Sequence, residues 1–191
     1  MKYQILILIS VIFLTACTKE KVPITITAND FHQSVDKVGL IMVHDIFSPP
    51  VASRVFSYPN IAAYEIMAQG NEKYASLAGQ LTDLNSIPAP VKGDAVNFQL
   101  AALIAHMDLN KRLIFSEDKM QIYIDSLYTS WEDQNAKEFK VSKAYGLKVA
   151  AYIYDWMDQD NYKQTRTMSK FTVDTDDLHA GNLHLLLTWM D

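Results

Sequence analysis

Hydrophobic positions recur at intervals of three and four over most of the chain, the spacing of helices that bury one face. After a brief β-favouring lead-in at Val22–Thr27, Asn29 is placed to cap a helix with Phe31, Val35, Val38, Met42 and Ile46 as its apolar stripe. Ser48-Pro49-Pro50 closes that helix and opens a second, with serine as cap and proline in the first turn, where an N–H is not needed. Pro59 is expected to break or kink the second helix near Tyr58, with Asn60 capping a continuation through Ile61, Tyr64, Ile66 and Met67 to Gly70. From residue 71 to 94 the signals change, and Gly79, Pro88-Ala89-Pro90 and Gly93 mark a long surface connection.

Three more helices are expected, at about Ala95–Asn110, Glu117–Gln134 and Asn135–Asp158. Ser116 is the cap of the middle one, with Glu117 and Asp118 favourably placed against the helix dipole. In the last, Ala144, Leu147, Ala151 and Tyr154 form the stripe, while Gly146 either admits a close helix contact or simply weakens the helix. The pattern holds no internal repeat, and it reads as an all-α helical bundle.

Composition narrows the function. With 49% hydrophobic and 20% charged residues over 191 positions, the chain falls outside the collagen-like, low-complexity and disordered classes. The formal charge is −5, and only Arg54, Arg112 and Arg166 carry guanidinium groups, so no nucleic-acid partner is expected. Mixed charges such as those of Lys137–Lys148 read as solvated helix faces.

The N-terminus has the zones of an export signal. Lys2 supplies the positive start, Ile5–Leu14 the apolar stretch, and Leu14-Thr15-Ala16-Cys17 a small-residue cleavage site ending in cysteine. The apolar run is shorter than the roughly 20 residues a membrane-spanning helix needs. The tetrapeptide resembles a bacterial lipobox, which implies that residues 1–16 are removed and Cys17 carries the lipid. Residues 17–29 then form a tether and lead-in, and the protein is expected at the cell envelope, held to the membrane by its N-terminal lipid. Cys17 is the only cysteine, so no internal disulfide can form.

Candidate chemistry is sparse. The sequence has no G-x-G-x-x-G, Walker loop, H-E-x-x-H, G-x-S-x-G or cysteine pair. The histidines are His32, His44, His106, His179 and His184. His44-Asp45 has the form of a metal-site dyad, yet further ligands at helical spacing are missing, and a structural role is expected, with Asp45 pairing Arg54 across the turn. His106 lies on an apolar helix and reads as a satisfied core or edge histidine; Met42, Met67, Met107 and Met157 read as core filler. No catalytic, cofactor-binding or metal-binding residue is assigned, and Cys17 is the one residue with a chemical assignment, as the lipid attachment site.

Several blocks carry a family resemblance. Met42-Val43-His44-Asp45-Ile46-Phe47-Ser48-Pro49-Pro50-Val51-Ala52-Ser53-Arg54, with Tyr58-Pro59-Asn60-Ile61-Ala62-Ala63-Tyr64-Glu65, resembles the N-terminal helical half of the vanadium-dependent haloperoxidase-related branch of the type 2 phosphatidic acid phosphatase superfamily. Ser76–Leu81, Phe115–Lys119 and Asp160–Thr167 extend the likeness in order, so that it covers roughly residues 30–177.

The resemblance implies an all-helical fold around a phosphate or vanadate pocket, which the family builds from Lys-x6-Arg-Pro, Ser-Gly-His and Arg-x5-His segments. None of the three occurs in this sequence, so no catalytic residue carries over, and no cofactor is expected in this chain although vanadate is implied for a longer member. After the Thr-Arg-Thr block the family continues with a segment like Pro-x-Arg-Trp-x-Pro-Thr-Pro-Pro, where this chain reads Leu178–Asp191. Codons can be chosen so that one lost base after Asp177 converts such a segment into the observed tail. Residues 178–191 are therefore expected to be a frameshifted tail, the alternative being a divergent helix with Leu183, Leu186, Leu187 and Met190 as its stripe. Two functions remain: a truncated front part of an envelope phosphatase or haloperoxidase, inactive alone and lacking its catalytic half, or a self-sufficient helical lipoprotein acting as a binding or scaffold module.

Overall fold

The computed structural model describes residues 21–169, so the signal segment, Cys17, His179, His184 and the 178–191 tail lie outside the described residues. Its helices are α1 (Ala28–His44), α2 (Pro49–Gln69), α3 (Phe98–Leu113), α4 (Glu117–Met157) and the single turn α5 (Tyr162–Thr165). No strand occurs among the described residues, and the all-α expectation holds. Residues up to Met157 and residues from Asp158 onward form two separate units. In the second, Asn161 takes a left-handed conformation just before α5, and Lys163 pairs with Asp158 at 2.6 Å.

Within the first unit α3 is the centre. Every residue from Leu100 to Asn110 is buried, so this helix has no solvent face and almost no amphipathic pattern. One of its sides packs with Ile24, Ile26, α1 and the first part of α4, including Val38, Ile41, Trp131 and Phe139. The other packs with α2, Leu84 and Ile87 of the long connection, and Tyr145, Val149 and Ile153 of α4.

Local chemistry moves several expected boundaries. Thr27, not Asn29, caps α1: its hydroxyl accepts from the Asp30 N–H and the Asp30 carboxylate accepts from the Thr27 N–H at 2.7 Å. Ile46 does not extend the α1 stripe, since it lies past the helix end with φ 55° and is exposed. Helix α2 continues unbroken past Pro59, and Asn60 is no cap; its amide donates back to the Phe56 carbonyl at 2.6 Å. Ser48 and the two prolines start α2 as expected, although the serine hydroxyl makes no capping bond.

The third helix starts at Phe98 rather than Ala95 because Asn97 is held outside it as the cap, its side chain accepting from the Leu100 N–H at 3.0 Å. The expected boundary between Gln134 and Asn135 is real: α4 loses helical geometry at Asn135 (φ −155°, ψ 82°), whose side chain accepts from the Glu138 N–H at 3.3 Å. The stripe beyond it is only partly the expected one: Leu147 and Tyr154 are half-buried against the core. Ala144 and Ala151 are exposed, and the buried line is Ser142, Tyr145, Gly146, Val149, Ala150, Ile153 and Met157. Gly146 sets this rotation by letting the helices touch: a Cβ there would stand 2.5 Å from the Ala101 carbonyl oxygen of α3.

Candidate functional site

The polar side chains buried in the first unit gather at four places. At the end of α1, Asp45 accepts from the Phe115 and Ser116 N–H groups at 3.0 and 2.9 Å and from the Ser116 hydroxyl at 2.5 Å. His44 Nδ1 lies 3.1 Å from the same carboxylate. Desolvation pushes the Asp45 carboxyl up, but the hydrogen bonds from Ser116, His44 and Phe115 together outweigh it and hold the group at about 2. The expected Asp45–Arg54 pair is not formed; Arg54 instead reaches the Met157 carbonyl and lies over the Tyr58 ring.

Serine, histidine and aspartate thus meet at one point, but the geometry is not that of a nucleophile. The Ser116 hydroxyl donates to Asp45, and both Ser116 and Asp45 face the same ring nitrogen of His44, so no base is poised to take the serine proton. The cluster joins the α1–α2 turn to the start of α4. It also occupies the Ser116 hydroxyl expected to cap α4.

Glu65 does the same for the long connection. Buried on α2, it accepts from the Ser76 hydroxyl and the Leu77 N–H, both at 2.6 Å. Glu138 does so for the lead-in, accepting from the Ile24 N–H at 3.0 Å and from the Asn97 amide at 2.8 Å. Sequence reading missed both residues, because a lone glutamate on a helix carries no signal that its partners arrive from a distant loop.

His106 is buried on α3, with Ser34 Oγ 3.0 Å from Nδ1, the Asn110 amide alongside, and the Phe31 ring 4.6 Å away. Burial alone pulls its pKa down to about 4, so the ring is neutral at physiological pH. This is the core histidine expected. His32, by contrast, is exposed on the rim of an apolar groove of about 440 Å³ between α1, α2 and α3, together with Phe31, Tyr64 and Met67.

These groups fasten a helical scaffold, and known structures share it. The crystal structure titled the first bacterial vanadium-dependent iodoperoxidase is 58% identical to this chain, with a TM-score of 0.78. The likeness covers 79% of this chain. This likeness supports the vanadium-dependent haloperoxidase-related branch for the chain. The chain spans only 37% of the iodoperoxidase chain's length. No protein-family model and no curated protein matches this haloperoxidase-like chain.

None of the three segments from which the family builds its vanadate pocket occurs in this sequence. An oxyanion of that kind needs several cationic and N–H donors converging on one point. Arg112 is bound to Asp108 at 2.7 Å and lies over the Tyr154 ring. The buried His106 faces a serine, an amide and a phenyl ring. No group of three or more His, Cys, Asp or Glu side chains suited to a metal ion occurs among the described residues.

Proposed function

We propose that this chain is the supporting helical part of an envelope-anchored, vanadium-dependent peroxidase-like protein and does not itself turn over substrate. The observation that carries the reading is the 58% identity over 79% of the chain, matched to only 37% of the iodoperoxidase. Hydrogen bonds made by Glu65, Asp45 and Glu138 agree with it, because they tie loops and the lead-in to helices, as a supporting part requires. The reaction attributed to the full-length protein is peroxide-dependent oxidation of a halide, iodide by likeness to the solved relative. Its vanadate pocket would be built by sequence outside residues 21–169. Lipidation at Cys17 would place the scaffold at the membrane surface.

Three measurements test this. The full chain, incubated with vanadate, hydrogen peroxide and iodide, is expected to form no triiodide above the vanadate-only control; turnover would overturn the assignment. Nucleotide sequence beyond codon 177 is expected to contain, one base out of frame, the Lys-x6-Arg-Pro and Ser-Gly-His segments. A stop with no such frame behind it would favour the binding-module reading. Labelled palmitate is expected on the chain and absent from a Cys17→Ser variant; equal labelling of both would remove the anchor.

A further inference from the structure

The break at Asn135 divides α4 by charge as well as by geometry. From Glu117 to Gln134 the helix carries five carboxylates against Lys119 alone. From Ala136 to Tyr154 it carries Lys137, Lys140, Lys143 and Lys148 against Glu138 alone, and Glu138 is taken up by the Ile24 N–H and the Asn97 and Asn135 amides. Lys137, Ala144 and Lys148 are exposed at helical spacing along one edge of this half, with Lys140 beside them. That edge adjoins the lead-in and the end of the long connection. Lys137 lines a hollow of about 680 Å³ with Pro23 and Gly93, where Asp94 is the one exposed carboxylate, and the Lys148 ammonium donates to the Ala89 carbonyl at 3.4 Å. Lys92 is exposed next to Gly93, and Lys21 at the start of the lead-in. A chain with a formal charge of −5 thus turns a cationic face to solvent where its lead-in joins the helices.

The lead-in is pinned there. The Pro23 carbonyl accepts from the Gln134 amide at 2.9 Å, the Ile24 N–H donates to Glu138 at 3.0 Å, and the Ile24 carbonyl accepts from Asn97 at 2.7 Å, while the Ile24 and Ile26 side chains are buried. Six residues lead from Cys17 to Pro23, a reach of no more than about 20 Å for a fully extended chain. We infer that Lys21, Lys92, Lys137, Lys140 and Lys148 form the face that lies on an anionic phospholipid surface when the chain is anchored through Cys17. The inference rests on the lipid anchor proposed above and adds what an anchor alone leaves open, the orientation of the fold. Two observations select this occupant. The short tether keeps the pinned lead-in, and the lysines around it, close to the leaflet that holds the lipid. The sign of the charge does the rest: each lysine near an anionic leaflet strengthens attachment about fivefold, an effect confined to about 10 Å at 0.1 M salt, and the acidic first half of α4 is repelled by the same surface.

Quenching of a surface probe tests the orientation. The full chain, expressed with its signal segment so that lipid occupies the Cys17 sulfur, would carry a fluorophore on one added thiol, Ala144→Cys on the basic edge or Ser126→Cys on the acidic half. Each would be reconstituted into phosphatidylcholine vesicles, with and without phosphatidylglycerol, that carry a nitroxide on their headgroups. In the anionic vesicles at low salt, the Ala144→Cys probe is expected to be quenched about threefold or more over the Ser126→Cys probe, and the ratio to fall toward parity in high salt or in phosphatidylcholine alone. Equal quenching of the two positions in anionic vesicles, or a ratio indifferent to both salt and phosphatidylglycerol, would overturn the inference. The triple variant Lys137→Gln/Lys140→Gln/Lys148→Gln, checked for the parent's circular dichroism, is expected to remove the difference, and a difference that survives it would count against these lysines. Labelled palmitate separates the two readings. A lipidated chain whose probes are quenched equally loses the orientation and keeps the anchor, whereas a chain that takes up no palmitate loses the anchor and this inference with it.

Discussion

Asp45 and Glu65 stand near the C-terminal ends of successive helices, and each accepts a backbone N–H and a serine hydroxyl, Asp45 from a segment 70 residues on and Glu65 from the connection that follows its own helix. Replacing Asp45 by Asn turns an amide N–H donor toward N–H and O–H donors that the carboxylate had accepted from, a cost of about 1–3 kcal/mol. Its pH dependence has a definite sign. The folded group titrates near 2, below its ordinary 3.8, so the unfolded chain binds more protons between those values. The contribution is complete above the ordinary carboxylate range and is lost as pH falls through about 2. Urea midpoints of wild type and Asp45→Asn are therefore expected to differ most near neutrality and to converge in acid. His106 acts at milder pH. Its folded value of about 4 lies below the ordinary 6.5, and again the unfolded chain takes up the proton first. Stability is expected to fall by up to about 3 kcal/mol as pH drops from 6.5 to 4, and a His106→Gln variant should flatten that slope.

Among the elements, the packing of α3 on α4 depends on one missing side chain. At Gly146 a Cβ would lie 2.5 Å from a backbone oxygen of Ala101, an obstacle that no rotamer change removes. Gly146→Ala should therefore destabilise by about 1–3 kcal/mol despite its higher helix propensity, a reversal readable from the denaturant midpoint. This contact also shows what was legible in the sequence and what was not. Helix existence, the break before Asn135 and the long connection followed from periodicity and from Gly and Pro. The face that α4 buries did not, because Ala144, Leu147, Ala151 and Tyr154 repeat at the same interval as the true line, and only the position of α3 separates the two. The helix starts failed for a related reason. Asn29 has the same local credentials as Thr27, and the start expected at Ala95 misses Asn97, which tertiary contacts favour: its amide also binds the Ile24 carbonyl at 2.7 Å and Glu138. The residues that carry the family likeness were visible as blocks, but their roles as clamp and partner, Asp45 with Phe115-Ser116 and Glu65 with Ser76-Leu77, appear only when distant segments meet.

For the first unit as a whole, the question is whether a scaffold that matches little more than a third of its relative can fold cooperatively. Its two apolar clusters are on opposite sides of α3, and α3 contributes Leu100, Leu103, Ile104 and Met107 to one and Ala101, Ala102, Ala105 and Leu109 to the other. Neither side can open without exposing a helix that has no polar face of its own. The coupling is testable because each cluster has its own indole: Trp131 is buried in the first, and Trp156 packs on the second while donating to the Thr82 carbonyl at 3.0 Å. With Trp189 replaced by Phe, variants retaining only Trp131 or only Trp156 are expected to report the same urea midpoint and slope, as a single transition requires. A lower midpoint at Trp156 alone would mean that α2 and the long connection release first and that α3 does not bind the clusters into one unit. Cooperative folding is compatible with the exposed face at Leu40 and Val43, since those side chains project from a helix whose opposite side, Val38, Ile41 and Met42, is fully packed. The chain can then hold its own fold with those side chains in water, so the urea midpoint and slope are expected to stay the same as protein concentration rises, and a midpoint that climbs with concentration would mean that folding needs a second copy.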